Sequence, residues 1–94
     1  MKNNKRIKLT KDECEVIVGI YGEFTNEQMI KFLDLSDENC NVTSIEKIKV
    51  GLLSKFKAAN PVQVIADITS VYPNIWHSSF SFQAIVKKLV KFYG

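Results

Sequence analysis

Residues 10–30 read TKDECEVIVGIYGEFTNEQMI and contain two helix starts. In each, a threonine (Thr10 or Thr25) is followed three residues later by Glu or Gln. This is the capping box, in which the threonine hydroxyl accepts a hydrogen bond from a backbone N–H and the Glu or Gln reaches back to the threonine N–H. Apolar residues recur at helical spacing over about 11–21 and 26–34. The stretch therefore predicts two short consecutive helices.

Further helix starts follow downstream. Thr43 begins a third capping box, which together with apolar periodicity predicts a helix over about 44–57. Residues 60–61, Asn-Pro, supply a cap and a first-turn proline for a helix over about 62–71. A strongly amphipathic run predicts a fifth helix near 80–92. Since no segment alternates as a strand does, the sequence predicts a small all-α domain of about five helices.

Composition narrows the class of protein further. The chain has 94 residues, of which 46% are apolar, enough for one domain with its own core. No apolar run approaches the roughly 20 residues that span a bilayer. The first residues, MKNNKRIK, lack the apolar stretch of a signal peptide. We therefore expect a cytoplasmic location and no membrane as partner.

The charges are segregated along the chain. Residues 1–11 carry five basic residues and no acidic residue, residues 12–38 carry eight acidic residues against Lys31, and residues 39–94 are again basic. This segregation permits one basic face to meet phosphates. The acidic stretch would repel phosphate if it faced DNA. It either points away or forms a surface for a basic protein partner.

Neither a metal site nor a catalytic constellation is expected. Cys14 and Cys40 belong to no CxxC pattern. They could form a disulfide or a thiol switch, but we favour two partly buried thiols that act as small apolar side chains. His77 is the single histidine, which argues against zinc. Ser78 and Ser79 beside it are expected to cap the fifth helix rather than to form a nucleophile–base pair. We expect no enzyme activity and no cofactor.

Short motifs over residues 9–66 follow the pattern of one family. The residues that carry this pattern are Leu9, Thr10, Glu13, Glu15, Val16, Thr25, Asn26, Glu27, Gln28, Met29, Ile30, Leu33, Leu35, Ser36, Ser44, Ile45, Lys55, Phe56 and residues 60–65. They resemble the DNA-binding domains of LuxR-type (GerE-type) bacterial regulators. The resemblance implies a helix-turn-helix, and about five additional residues near 39–43 lengthen its turn. This insertion either reorients the third helix or bulges into solvent.

In such a domain the third helix enters the major groove. The face opposite its apolar stripe carries Lys47, Val50, Gly51 and Ser54. By the resemblance, Lys47 would donate to guanine, Glu46 would accept from cytosine and Val50 would touch a thymine methyl. Gly51 either lets the backbone approach DNA or serves helix packing.

Other residues of this region are expected to contact phosphates, which position a protein without reading sequence. Lys49, Lys55 and Lys57 would supply charge, while Thr43 and Ser44 would add hydroxyls at the helix N-terminus.

The sequence thus divides into a flexible basic arm (1–8), a helix-turn-helix domain (9–71) and a C-terminal helix (72–94) that packs on the core or at a dimer interface. In this family the fourth helix often supplies the dimer contact, which implicates Val62 and Ile65. We expect a sequence-specific transcriptional regulator that binds double-stranded DNA as a dimer. The alternative is a protein-interaction module of the same fold that binds a regulator or a polymerase subunit through the acidic region.

Overall fold

The computed structural model describes residues 7–77 and 81–94, and five α-helices account for most of this part. They are α1 (Lys11–Tyr21), α2 (Asn26–Phe32), α3 (Val42–Phe56), α4 (Pro61–Val71) and α5 (Phe82–Tyr93). No strand occurs among the described residues, and the prediction of a small all-α domain with five helices is confirmed. Most of the predicted basic arm, and the predicted caps Ser78 and Ser79, lie outside the described residues.

The helix starts follow the capping chemistry of the sequence at three of the predicted positions. Thr10 accepts from the Glu13 N–H at 3.2 Å and Thr25 from the Gln28 N–H at 3.1 Å, and both capping boxes are complete. Asn60 caps α4, with Pro61 in its first turn. These local hydrogen bonds satisfy N–H groups that have no partner inside the helix.

Three boundaries differ by two residues from the sequence prediction. The end of α2 is Phe32 rather than residue 34, because Leu33 already has extended backbone dihedral angles. The start of α3 is Val42 rather than residue 44, since the cap is Asn41 and not Thr43. The start of α5 is Phe82 rather than residue 80, since the cap is Ser81, which accepts from the Ala84 N–H at 3.3 Å, and not Ser78 or Ser79.

Helix α1 lies at the centre of the domain. Helices α3, α4 and α5 all pack against it, while α2 packs against α3 and α3 against α4. Burial of apolar area of this kind is the main favourable term in folding. The buried apolar residues are Leu9, Cys14, Val16, Ile17, Val18, Met29, Ile45, Leu52, Val64, Ile68, Ile75, Trp76, Ile85, Val86, Leu89 and Tyr93.

A buried carboxylate fastens the segment after α2 to α1. The Glu15 side chain is fully buried, and its Oε1 accepts from the Asp34 N–H at 3.2 Å. The ammonium of Lys11 lies 3.3 Å from Glu15 Oε2 and 3.1 Å from Asp34 Oδ2. A buried charge is tolerated only when it is paired, so these contacts fix where the chain leaves α2.

Helix α2 approaches α1 closely at Gly19. A Cβ atom at this position would stand 3.0 Å from Met29 Cγ and 3.3 Å from Leu33 Cδ1. The absence of a side chain therefore lets α2 seat its one fully buried residue, Met29, against α1.

Among the described residues, no helix is long and apolar enough to cross a membrane.

Candidate nucleic-acid interface

Asn41 and Ser44 close the N-terminus of α3. Asn41 Oδ1 accepts from the Ser44 N–H at 3.0 Å and from the Ser44 hydroxyl at 3.2 Å, and the Asn41 N–H donates to Ser44 Oγ at 3.4 Å. The Ser44 hydroxyl is thus engaged inside the cap. Thr43, predicted as the cap, is exposed in the first helical turn. Asn41 is the cap in place of the predicted Thr43, and its spacing to Ser44 also fits a reciprocal cap.

The outward face of α3 brings together four of the predicted contact residues. Thr43, Lys47, Val50 and Ser54 are exposed, and their spacings of three, four and seven residues place them on one side of the helix. Val50 is 62% exposed. The ammonium of Lys47 has no hydrogen-bond or ion-pair partner in residues 7–77 and 81–94. This face is therefore available to a ligand.

Two other predicted residues are tied to α2. Asn26 donates its amide to Glu46 Oε2, and its Oδ1 accepts from Lys49 Nζ at 2.6 Å. Lys49 is half-buried, whereas Glu46 is exposed. The structure thus uses Lys49 to hold α2 against α3. No sequence motif indicates this role for Asn26, because its partners lie more than a helix away along the chain.

Lys55 and Gly51 lie on the side of α3 that faces α1. Lys55 Nζ donates to Glu13 Oε1 at 2.8 Å and to the Lys8 carbonyl oxygen at 2.8 Å. A Cβ atom on Gly51 would have one near neighbour, Glu13 Oε2 at 3.9 Å. Apart from this carboxylate oxygen the space around a Gly51 Cβ atom is open, so nothing in the structure requires the absence of a side chain there.

Lys57 ends α3 in an unusual backbone conformation. It is the C-cap, with φ 54° and ψ 45°, and its N–H bonds to the Leu53 and Ser54 carbonyl oxygens. The left-handed region costs a non-glycine residue roughly 1–2 kcal/mol. The side chain of Lys57 is exposed, so its charge stands at the end of the candidate interface.

The acidic residues of α1 serve internal contacts. Asp12 Oδ1 accepts from the Ser36 N–H at 2.9 Å, while Glu13 and Glu15 pair with lysines as described above. Asp37 and Glu38 in the connection between α2 and α3 are exposed, as is Glu27 at the start of α2. Part of the acidic stretch therefore holds the fold together, and part remains on the surface.

The two residues predicted for a dimer contact lie on α4. Val62 is 74% exposed, and Ile65 is half-buried against the core. An apolar side chain as exposed as Val62 is available to a second copy of the chain.

In the part of the chain that the structure describes, no three His, Cys, Asp or Glu side chains are grouped so as to hold a metal ion. Both cysteines are free; Cys14 is buried and Cys40 half-buried.

Comparisons with protein-family models, with curated proteins and with solved structures find no match to this chain.

Proposed function

We propose that this protein is a sequence-specific DNA-binding regulator whose α3 enters the major groove. The observation that carries the proposal is the exposed face of α3, where Lys47, Val50 and Ser54 stand together on a 15-residue helix. The major groove admits a helix, and it presents guanine acceptors and thymine methyl groups. An ammonium beside an exposed valine matches that pair of features.

Electrostatic support comes from the internal use of acidic groups. Because Glu13 and Glu15 pair with Lys55 and Lys11, they contribute little net negative potential around α1. Within residues 7–77 and 81–94, the exposed ammonium groups of Lys47 on α3 and of Lys57 at its C-cap have no hydrogen-bond or ion-pair partner. Charges of this kind attract phosphate over about a Debye length, roughly 8–10 Å.

The first test is binding to mixed-sequence duplex DNA by fluorescence anisotropy at increasing salt. The proposal requires binding that weakens steeply with salt, because neutralised phosphates release counterions. Selection from a random duplex library then identifies a preferred site. Lys47→Ala should weaken that site more than others, and Lys57→Ala should weaken all sites alike. The absence of any binding at low salt would overturn the proposal.

A second candidate is a protein-interaction module of the same fold. Its support is the exposed acidic pair Asp37–Glu38, together with the internal engagement of Lys49 and Lys55. A basic partner segment would be attracted to this pair. In this case the wild-type protein fails to bind DNA but binds a polylysine peptide. The variant Asp37→Asn/Glu38→Gln should then lose its binding to the peptide.

The proposed dimer has a separate test. Val62 is the exposed apolar residue of α4 at the predicted contact. Val62→Glu should shift the sedimentation coefficient from that of a dimer to that of a monomer, because a charge in an apolar contact is costly. Val71→Glu, at another exposed valine of α4 (61% exposed), is the matched control.

A further inference from the structure

Helix α5 has a buried apolar side and a basic outer side. Ile85, Leu89 and Tyr93 lie in the core, each less than a tenth exposed. Lys87 and Lys91 are exposed and four residues apart, so their side chains follow one another along the outer side of the helix. We call this pair the α5 lysine surface.

No acidic residue of the same segment offsets this charge. Residues 68–94 contain three lysines and neither Asp nor Glu. Helix α1, which packs against α5, contributes Asp12, Glu13 and Glu15, and each of these already has an internal partner. Asp67 of α4 acts on Tyr93 at the C-terminal end of α5, and Asp12 keeps its charge because its partner is a backbone N–H. The α5 lysine surface is therefore positively charged, and its charge is partly offset near Tyr93.

The C-terminal ends of α3 and α5 meet. The Phe56 and Tyr93 rings contact edge to face, with centroids 5.9 Å apart, and the Leu9 N–H donates to the Tyr93 carbonyl oxygen at 3.1 Å. Lys57 follows Phe56 directly, and Lys91 precedes Tyr93 by two residues. A 12-residue helix is about 18 Å long, and one duplex turn is about 34 Å long. One turn of a duplex that lies on α3 is therefore longer than α5.

We propose that the α5 lysine surface is a second DNA contact, in which Lys87 and Lys91 bind backbone phosphates while α3 lies in the groove. The inference rests on the proposed function, because it assigns a further contact with the same duplex. Two ammonium groups without a guanidinium fork act as point charges and hold phosphate without reading bases. The contact therefore adds affinity but no sequence preference.

An anionic membrane is the less suitable partner for this surface. An amphipathic helix binds a bilayer by burying its apolar side among the lipid chains. The apolar side of α5 is already buried in the core through Ile85, Val86 and Leu89. Phe82, Val90 and Phe92 of α5 are 37–47% exposed, but burying the rest of its apolar side in lipid would require α5 to detach from α1, whereas phosphate contact leaves the fold unchanged.

The experiment compares three full-length proteins, wild type, Lys87→Gln/Lys91→Gln and Lys87→Arg/Lys91→Arg, on mixed-sequence duplex DNA across a salt series. Each lost phosphate contact lowers the magnitude of the log–log salt slope by about 0.9, so the glutamine variant should lose about 2 units. The arginine variant should keep the wild-type slope. Because Gln and Arg are good helix formers, all three should have the same helix content by circular dichroism.

The possible outcomes separate this inference from the proposed function. A wild-type slope in the glutamine variant, with Lys47→Ala still losing site preference, overturns the α5 contact and leaves the α3 proposal standing. A reduced slope in the glutamine variant, with no site preference in any protein, supports the α5 contact and overturns sequence-specific reading by α3. Binding of the wild type to phosphatidylserine vesicles but not to DNA overturns both.

Discussion

The Lys55 ammonium lies 2.8 Å from the Glu13 carboxylate, so a lysine expected to contact phosphate instead holds α3 to α1. Glu13 is 13% exposed and Lys55 38% exposed, and the pair is therefore partly screened by water. Glu13 also accepts from the Thr10 N–H at 2.8 Å. One carboxylate thus closes the cap of α1 and neutralises Lys55. Under the proposed function it would compete with DNA for this ammonium.

Glu13→Gln should bind DNA more tightly than wild type. Glutamine can keep the capping box, but it no longer neutralises Lys55. If the freed ammonium reaches a phosphate, the salt slope should steepen by about 0.9. A gain of at most about 1 kcal/mol corresponds to about fivefold tighter binding. Fluorescence anisotropy on mixed-sequence duplex measures both quantities.

The matched control is Glu23→Gln, which makes the same charge change at an exposed position after α1. If both variants gain equally, the effect comes from net charge and not from Lys55.

Gly51→Ala should stabilise the protein by about 1 kcal/mol, because glycine in a helix interior costs that much relative to alanine. The added Cβ meets one atom within 4 Å, Glu13 Oε2 at 3.9 Å, so no clash opposes the gain. Urea unfolding followed by circular dichroism measures the change in the free energy of unfolding. Gly19→Ala is the comparison, and it should gain less because its Cβ would lie 3.0 Å from Met29 Cγ.

If Gly51 faces α1 and not DNA, Gly51→Ala should also leave the dissociation constant for DNA unchanged. A large loss of binding in a protein that folds normally would instead place Gly51 against the duplex.

The protein should lose stability at alkaline pH. Burial raises the pKa of the Cys14 thiol from 9.0 to about 12, and burial together with the charge of Asp67 raises the pKa of Tyr93 from 10.0 to about 12. At a pH between the ordinary and the raised pKa of each group, Cys14 and Tyr93 ionise in the unfolded chain but keep their protons in the folded protein. This contribution to the free energy of unfolding is therefore complete below pH 9.0 and declines as the pH rises toward about 12.

Urea unfolding at a series of alkaline pH values measures this decline. Tyr93→Phe should make it shallower, because the buried phenol is removed. Tyr21→Phe, at a more exposed tyrosine (38% exposed), is the control and should follow the wild type. Identical pH profiles for wild type and Tyr93→Phe would contradict the assignment.

The two cysteines should differ in their reaction with iodoacetamide. Cys14 is fully buried and its pKa is raised to about 12, so it supplies almost no accessible thiolate at neutral pH. Cys40 is half-buried in the connection before α3 and should be alkylated first. Mass spectrometry should show one rapid modification of the wild type and none of Cys40→Ser until urea is added. Rapid labelling of Cys40→Ser in native buffer would mean that Cys14 is accessible.

The helix starts were predictable because capping is local. Thr10, Thr25 and Asn60 each act through an N–H three residues away, and the sequence displays that spacing directly. At the start of α3, two residues with good capping side chains, Asn41 and Thr43, stand two positions apart. The capping-box pattern predicts Thr43 as the cap, but Asn41 forms the reciprocal pair with Ser44. Local chemistry alone left this choice open.

The partners of the lysines were not predictable from the sequence. Lys49 bonds to Asn26 and Lys55 to Glu13, pairs that are 23 and 42 residues apart. Such contacts depend on how α3 packs against α2 and α1, and lysine spacing on one helix carries no information about them. Helical spacing did place Lys47, Val50 and Ser54 on one exposed face, because that relationship depends on α3 alone.

The attachment of the segment after α2 to α1 also determines where the chain tolerates added length. Glu15 holds the Asp34 N–H and Asp12 holds the Ser36 N–H, so residues inserted before Ser36 would break contacts to a buried carboxylate. From Asp37 to Asn39 the chain is exposed. A short epitope or a fluorophore attachment sequence placed there would extend into solvent, since exposed loop tips accept insertions best. The connection between α2 and α3 therefore offers a place to label the protein without disturbing its core.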